Sequence, residues 1–261
     1  MRVVVKLGGA ALEEPRRLDR CAQALAGLCR PGRQVAVVHG GGAALSRTLA
    51  QLGKASEFVG GLRVTDRETR DVALMVLAGM VNKRLVAALA RAGQAAVGLS
   101  GGDGGSFRAR KVRRNGCDLG FVGEISEADP GWIEAIWERG ALPVLSSLAL
   151  GREGEYYNIN ADQMAAACAV ACRAQALVFL TDVPGVWDRD HRLLRRLTRA
   201  DVVRLVDGEA VCGGMLPKLE ACERALAGGV SQVRILPAAA VERLAETLAG
   251  SLEVGTEVVA A

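Results

Sequence analysis

Apolar positions in this chain gather into short, nearly unbroken runs separated by longer stretches of mixed character. Residues 3–7, 34–38, 95–99, 142–146, 177–181 and 233–236 are the runs, and their continuity predicts strands covered on both faces. The stretches 18–28, 43–52, 66–92, 162–173 and 219–227 read as helices. Strand and helix in alternation imply an α/β fold with a mostly parallel sheet, whose ligands bind outside the carboxyl ends of its strands. In the long helical stretch Val72, Met75, Val76, Gly79 and Met80 recur at helical spacing, an apolar stripe for the core or for a subunit interface.

Two inserts break the alternation. Residues 107–126 hold Asn115-Gly116, a two-residue hairpin signal, after the basic run 110–114. That run suits a solvated hairpin strand better than an acidic partner. Residues 151–157 carry glycines at a turn and lead into Asn158-Ile159-Asn160-Ala161-Asp162.

At 261 residues the chain forms one large or two small domains. Half of it is hydrophobic but only 3% is aromatic, so Ala, Val and Leu build the core. Formal charge is 33 − 29 = +4, spread along the chain, and with few rings to stack on bases no nucleic-acid partner is expected. No signal peptide precedes the first strand and no apolar run approaches the ~20 residues of a membrane span, so a soluble, cytoplasmic protein is expected. The seven cysteines (Cys21, Cys29, Cys117, Cys168, Cys172, Cys212 and Cys222) make no C-x-x-C pair. With only His39 and His191 to join them, no metal site built from protein side chains is expected, and reduced thiols fit a reducing compartment.

Anion chemistry is written at both ends of the chain. Lys218 follows Gly213-Gly214-Met215-Leu216-Pro217 at the start of a helix, where a cation is repelled unless an anion shares the site. Glycines, exposed amides and a lysine there make a socket for a phosphate-like group. Lys6 ends the first strand beside Gly8 and Gly9, which let a phosphate approach the backbone. His39-Gly40-Gly41-Gly42 joins the second strand to a helix and forms another anion site. Neither turn matches a Walker P-loop or a dinucleotide fingerprint.

Asn158 and Asn160, two apart in an extended segment, present amides to one side, although Asn160 also suits a helix cap. Asp162 either decorates a first helical turn or partners the two lysines. Arg63, in a glycine-bounded loop, can clamp a carboxylate with two parallel hydrogen bonds. The turn Thr181-Asp182-Val183-Pro184-Gly185-Val186-Trp187 closes a strand, and Trp187 is suited to line a nucleotide pocket.

Taken together, Lys6-Leu7-Gly8-Gly9, His39-Gly40-Gly41-Gly42, Gly61-Leu62-Arg63-Val64-Thr65, Asn158-Ile159-Asn160-Ala161-Asp162 and Gly213-Gly214-Met215-Leu216-Pro217-Lys218 resemble the amino acid kinase family, most closely its acetylglutamate kinases. The resemblance runs from Lys6 to Thr256. It implies an open three-layer αβα sandwich with a central, mainly parallel sheet. An N-terminal lobe (1–175) would bind acetylglutamate and dimerise, and a C-terminal lobe (176–261) would bind ATP carrying Mg²⁺. The implied reaction is ATP-dependent phosphorylation of the γ-carboxylate of N-acetyl-L-glutamate in arginine biosynthesis.

In that scheme Lys6 and Lys218 stabilise the phosphoryl group in transfer and Asp162 organises both. Gly41 and Gly42 hold acetylglutamate and phosphoryl oxygens, while Arg63 and Asn158 bind acetylglutamate with Asn160 nearby. Gly8 and Gly9, the turn Asp182, Val183, Pro184, Gly185, Val186 and Trp187, and Ala210, Val211 and Cys212 approach ATP. One loop departs: Gly102 stands where relatives often carry lysine, so residues 100–104 are not expected to supply a charged contact.

Two rivals remain at this point. One is a kinase for aminoadipate or glutamate on an acidic carrier protein, which the basic run 108–114 suits. Against it, such relatives resemble Asn-x-Asp-Gly-Asp at positions 158–162 and lack a proline before the lysine. The other is a non-catalytic nucleotide or amino-acid sensor of the same fold, against which stand the retained Lys6, Lys218 and Asp162. The resemblance also implies a twofold dimer. Arginine-inhibited hexamers carry an extra N-terminal helix, and with Lys6 so near the start weak or absent arginine inhibition is expected.

Overall fold

The computed structural model describes residues 1–114, 116–207 and 214–260. Eight strands form one sheet in the order Arg196–Thr198, Thr256–Val259, Gln232–Pro237, Ala176–Thr181, Arg2–Leu7, Gln34–His39, Leu142–Ser146 and Ala96–Leu99. All neighbours run parallel except Gln232–Pro237 against Thr256–Val259. The six predicted strands are all present. Arg196–Thr198 and Thr256–Val259 escaped the pattern because neither is an unbroken apolar run.

Side chains alternate across a strand, and this sheet sends each set into a separate core. Val4, Val38, Leu145, Leu177, Phe179 and Ile235 pack with residues of the helices Ala161–Ala171 and Met215–Ala227. Val3, Val5, Leu7, Val37, Val144 and Val178 pack with Pro15–Leu28 and Asn82–Arg91 on the other face. Helix, sheet, helix is the expected three-layer sandwich. Residues 1–175 and 176–261 meet where Arg2–Leu7 pairs with Ala176–Thr181, so one sheet runs through both parts.

The insert at 107–126 is a hairpin of Phe107–Arg114 with Cys117–Ala128; Asn115 itself lies outside the described residues. Leu148–Gly151 and Tyr156–Ile159 join it to close a four-stranded barrel. Its basic strand is partly neutralised by its neighbour: Arg110 reaches Glu124 at 2.7 Å and Lys111 reaches Asp118 at 2.8 Å.

The long helix begins at Asp66, whose carboxylate caps it by accepting from the Thr69 amide. It runs as Arg67–Ala73, a π-helical stretch Leu74–Val81, then Asn82–Arg91. By length and composition Arg67–Arg91 is apolar enough to cross a bilayer, but half of its apolar window is buried within the protein, as in a core helix. The apolar stripe divides: Val72 and Val76 are core, while Met75 is 62% exposed.

Candidate active site

Lys6 projects from the sheet face that carries Val4, beside Phe179 in the neighbouring strand. Two helices start above this point. Asn160 caps Ala161–Ala171, its Oδ1 accepting from the amides of Asp162 at 2.9 Å and Gln163 at 3.3 Å. The alternative reading of Asn160 as a cap is therefore the local structure, and the cap sets Asp162 in the first turn. Lys218 stands in the first turn of Met215–Ala227. Its Nζ donates to Asp162 Oδ2 at 2.9 Å and lies 5.1 Å from the centre of the Phe179 ring. Lys6 Nζ stands 2.8 Å from Asp162 Oδ1, off the hydrogen-bonding direction, as an ion pair.

All three side chains are buried. Burial alone would raise the Asp162 carboxyl, but Lys6 and Lys218 together outweigh it and hold it below the ordinary carboxylate value. Burial lowers the Lys218 ammonium, with Lys6 adding to the effect and Asp162 opposing it. Among the described residues two ammoniums face one carboxylate, an excess of positive charge in a buried place suited to an anion.

The glycine turns edge the same space. Gly40, Gly41 and Gly42 line a cavity of about 210 Å³ together with Lys6, Gly8 and Gly9. Gly41 has φ 149° and a side chain there would meet Leu77 at 2.8 Å, so the turn requires glycine. Gly8 gives its own N–H to Leu180 O at 3.0 Å, and a Cβ on it would come within 2.9 Å of that oxygen. Gly8 thus offers close approach rather than a free amide.

Arg63, Asn158 and Asn160 line the same cavity. Arg63 sits on the small hairpin Phe58–Val59/Leu62–Arg63, with its guanidinium 4.6 Å from the Phe58 ring centre. It donates to Ser56 Oγ, to Ser46 Oγ at 2.8 Å and to Gly42 O at 3.0 Å. Every one of these acceptors is neutral. A buried guanidinium with no carboxylate beside it among the described residues has the chemistry to pair with one. Burial lowers its pKa, yet an arginine stays charged in proteins. Asn158 Nδ2 donates to Thr65 Oγ1 at 3.3 Å.

The turn after Thr181 lies toward a different opening. Gly185 packs against Thr256, and Val186 is core, its N–H donating to Thr256 Oγ1 at 2.9 Å. Asp182 and Pro184 are exposed, with Val183 half-buried between them. Trp187 lines a second cavity of about 470 Å³ with Asp188, Leu194, Leu197 and Leu205. Ala210, Val211 and Cys212, with Gly213, lie outside the described residues.

A sequence model of the amino acid kinase family matches residues 1–237. The chain belongs to the amino acid kinase family. Within that family it is 62% identical to the acetylglutamate kinase of Acidobacterium capsulatum, over the full length of both chains. It is 52% identical to the acetylglutamate kinase of Koribacter versatilis, covering 100% of this chain and 99% of that one. Among solved structures, N-acetylglutamate synthase from Neisseria gonorrhoeae, complexed with coenzyme A and N-acetyl-glutamate, superposes with a TM-score of 0.88 at 28% identity. That match covers 100% of this chain and 59% of the synthase. Carbamate kinase from Giardia lamblia shares the fold, with a TM-score of 0.71 at 15% identity, covering 100% of this chain and 98% of that one.

For an amino acid kinase, the sequence motifs account for most of the polar cavity wall, but some walls were missed. Leu45, Phe58, Leu77 and Val122 add apolar lining outside the motifs, and Ser147 adds a hydroxyl. Ser147 lies just past the strand Leu142–Ser146, so the rule that ligands gather at carboxyl ends of strands pointed there. Nothing in the sequence marked Phe58. The departure at Gly102 also has a reason: a Cβ there would meet the Tyr156 hydroxyl at 2.3 Å, so this loop has no room for lysine.

Proposed function

We infer that this chain is an acetylglutamate kinase, transferring the γ-phosphoryl group of ATP to the γ-carboxylate of N-acetyl-L-glutamate, a step of arginine biosynthesis. The full-length acetylglutamate kinase relatives support the reaction. The observation that carries the substrate is Arg63, buried among neutral acceptors and lining one cavity with Lys6. Arg63 and Asn158 take the α-carboxylate and acylamino group, which turns the γ-carboxylate toward Lys6 and the glycine turn.

The attacking carboxylate is already ionised near neutral pH, so no general base is needed. A new bond forms from a carboxylate oxygen to the γ-phosphorus while the bond to the β,γ-bridging oxygen breaks, and ADP leaves. Catalysis in such a step is positioning plus electrostatic stabilisation. Lys6 and Lys218 balance the charge on the group in transfer, and Asp162 fixes both ammoniums. The amides of Gly41 and Gly42, at the start of Gly42–Gln51, receive oxygens. The C-terminal lobe, 176–261, binds the nucleotide, with Trp187 against its base and residues 182–187 and 210–212 around it.

Magnesium fits this site as an ion carried by the nucleotide phosphates. The carboxylate at the centre, Asp162, has both oxygens turned to ammoniums and none to give to a cage. Bound there, the ion neutralises phosphate charge. We place the enzyme in the cytoplasm as a homodimer, with the exposed Met75 face of the long helix at the interface.

ADP release is the test, measured with ATP and Mg²⁺ across acetylglutamate, glutamate, aspartate, carbamate and carrier-linked substrates. Acetylglutamate should be strongly preferred over glutamate, since a site built to pair a buried polar group rejects analogues lacking it. Equal turnover of the two would sink the reading.

A further inference from the structure

His39 ends the strand Gln34–His39, directly before the glycine turn, is fully buried, and takes no part in the transfer described above. Its ring has two polar neighbours: Nδ1 lies 2.7 Å from Gly40 O, and Nε2 lies 3.0 Å from Asn82 Nδ2. The Asn82 amide decides where the ring proton sits. Its Nδ2 also lies 3.0 Å from the Val144 carbonyl oxygen, which can only accept. That nitrogen is therefore the donor, His39 Nε2 accepts from it, and the ring proton is left on Nδ1 to be donated to Gly40 O.

Peptide geometry carries the effect onward. In a trans peptide the C=O and the following N–H point in opposite directions. Holding Gly40 O against the imidazole turns the Gly41 N–H away from the ring, and Gly41 is one of the residues that line the cavity. The fold has also made room for the amide. A Cβ on Gly98 would stand 1.9 Å from Asn82 Oδ1 and 2.8 Å from Lys83 Nζ, so the bare backbone of Ala96–Leu99 admits both side chains. The π-helical stretch Leu74–Val81 ends at the residue before Asn82, and such turns shift the register of everything that follows.

We propose that Asn82 and His39 are positioning residues for phosphoryl transfer: Asn82 fixes His39 as its Nδ1–H tautomer, and His39 aims the Gly41 amide at the group in transfer. The proposal rests on the kinase reading. Burial is the main influence on the ring and lowers its pKa to about 4, with Lys83 as the nearby positive charge and the Gly40 bond opposing. The tautomer is thus held without a second proton at neutral pH.

Two measurements test this. With only two histidines in the chain, His191→Asn assigns the imidazole ¹⁵N signals, and His39 should carry its proton on Nδ1 across about pH 6 to 8. A proton on Nε2 would overturn the proposal. In steady-state kinetics His39→Leu should lower kcat on the order of 10²-fold with little change in KM for acetylglutamate, the cost of a misplaced donor. His39→Asn keeps an amide N–H near the Nδ1 position and should recover most of kcat.

Asn82→Asp sets an acceptor against Nε2. At high pH the ring proton is then drawn to Nε2 and Gly40 O loses its donor; at lower pH the imidazolium supplies both. Its kcat should fall as pH rises through that titration, where the wild type is flat. Equal damage in His39→Leu and His39→Asn, or a wild-type pH profile in Asn82→Asp, would overturn the proposal. The ¹⁵N readout needs no substrate, so the failures are distinguishable: no phosphorylation of acetylglutamate defeats the kinase reading and the positioning role with it, whereas a proton on Nε2 in an active kinase defeats this proposal alone.

Discussion

Lys218 and Asp162, 56 residues apart in sequence, meet inside the protein at 2.9 Å from Nζ to Oδ2, each at the start of its own helix. A carboxylate suits a helix N-terminus and an ammonium does not. The pair therefore places one favourable and one unfavourable charge together, and Lys6 adds a second cation at 2.8 Å from Oδ1. Among the described residues the arrangement holds one positive charge in excess, which the proposed transfer of a phosphoryl group would use.

Removing the organising carboxylate should damage both folding and chemistry. Asp162→Asn leaves two buried ammoniums without their anion, and breaking a buried pair from one side typically costs about 3–5 kcal/mol. Urea denaturation should show that loss together with a collapse of kcat. A variant of normal stability and normal kcat would show that Asp162 organises nothing.

Charge at the reacting phosphorus and charge at the far carboxylate should separate in kinetics. Lys218→Ala or Lys6→Ala should lower kcat on the order of 10²–10³-fold, as loss of a preorganised donor does. Arg63→Ala should instead raise KM for acetylglutamate, because its contacts exist before and during the transfer. Steady-state kinetics with both substrates varied decides; near-normal kcat in Lys218→Ala contradicts the assignment.

Stability should depend on pH through His39. Its imidazole falls from the ordinary 6.5 to about 4 in the folded protein. Between those values the unfolded chain binds a proton that the folded chain does not, so stability is complete above about pH 6.5 and declines as pH falls toward 4. The integrated effect is about 3 kcal/mol. Below that window Asp162 acts in the same sense: its depressed carboxyl loses its stabilising charge as pH falls through the folded value. Chemical denaturation at pH 7.5 and pH 5, compared in wild type and His39→Asn, should show a smaller decline in the variant.

Met75 tests the assembly. It is 62% exposed on an apolar helix, while Leu74, Ala78 and Met80 beside it are only partly covered. If the proposed dimer forms through this face, Met75→Lys should give a monomer in light scattering, with the isolated chain retaining its helix content by circular dichroism. A wild type that runs as a monomer removes the interface altogether.

Much of this protein was legible in one dimension. Five of the six apolar runs became the buried middle of the sheet, because a strand covered on both faces needs apolar residues at every position, whereas Ala96–Leu99 took an edge and is only partly covered, with Val97 40% exposed. Lys6, Asp162 and Lys218 stood out since each sits at a strand or helix end where α/β folds gather ligands. Asn160 carried both of its readings, cap and cavity wall, in its position alone.

What stayed hidden depends on distance through space. No pattern could announce that Gly98 is bare to admit Asn82, or that Tyr156 fills the place above Gly102, since each pair meets only after the sheet forms. The basic strand of the hairpin read as a solvated strand, but nothing in its sequence named Glu124 and Asp118 of its neighbour as the partners of Arg110 and Lys111. Likewise the stripe on the long helix could be divided into core and exposed face only once the π-helical stretch had set its register. Sequence determines periodicity and local chemistry; which charges end up paired, and which are left wanting a ligand, is decided by packing, because burial and a few ångströms of separation set the strength of every one of these interactions.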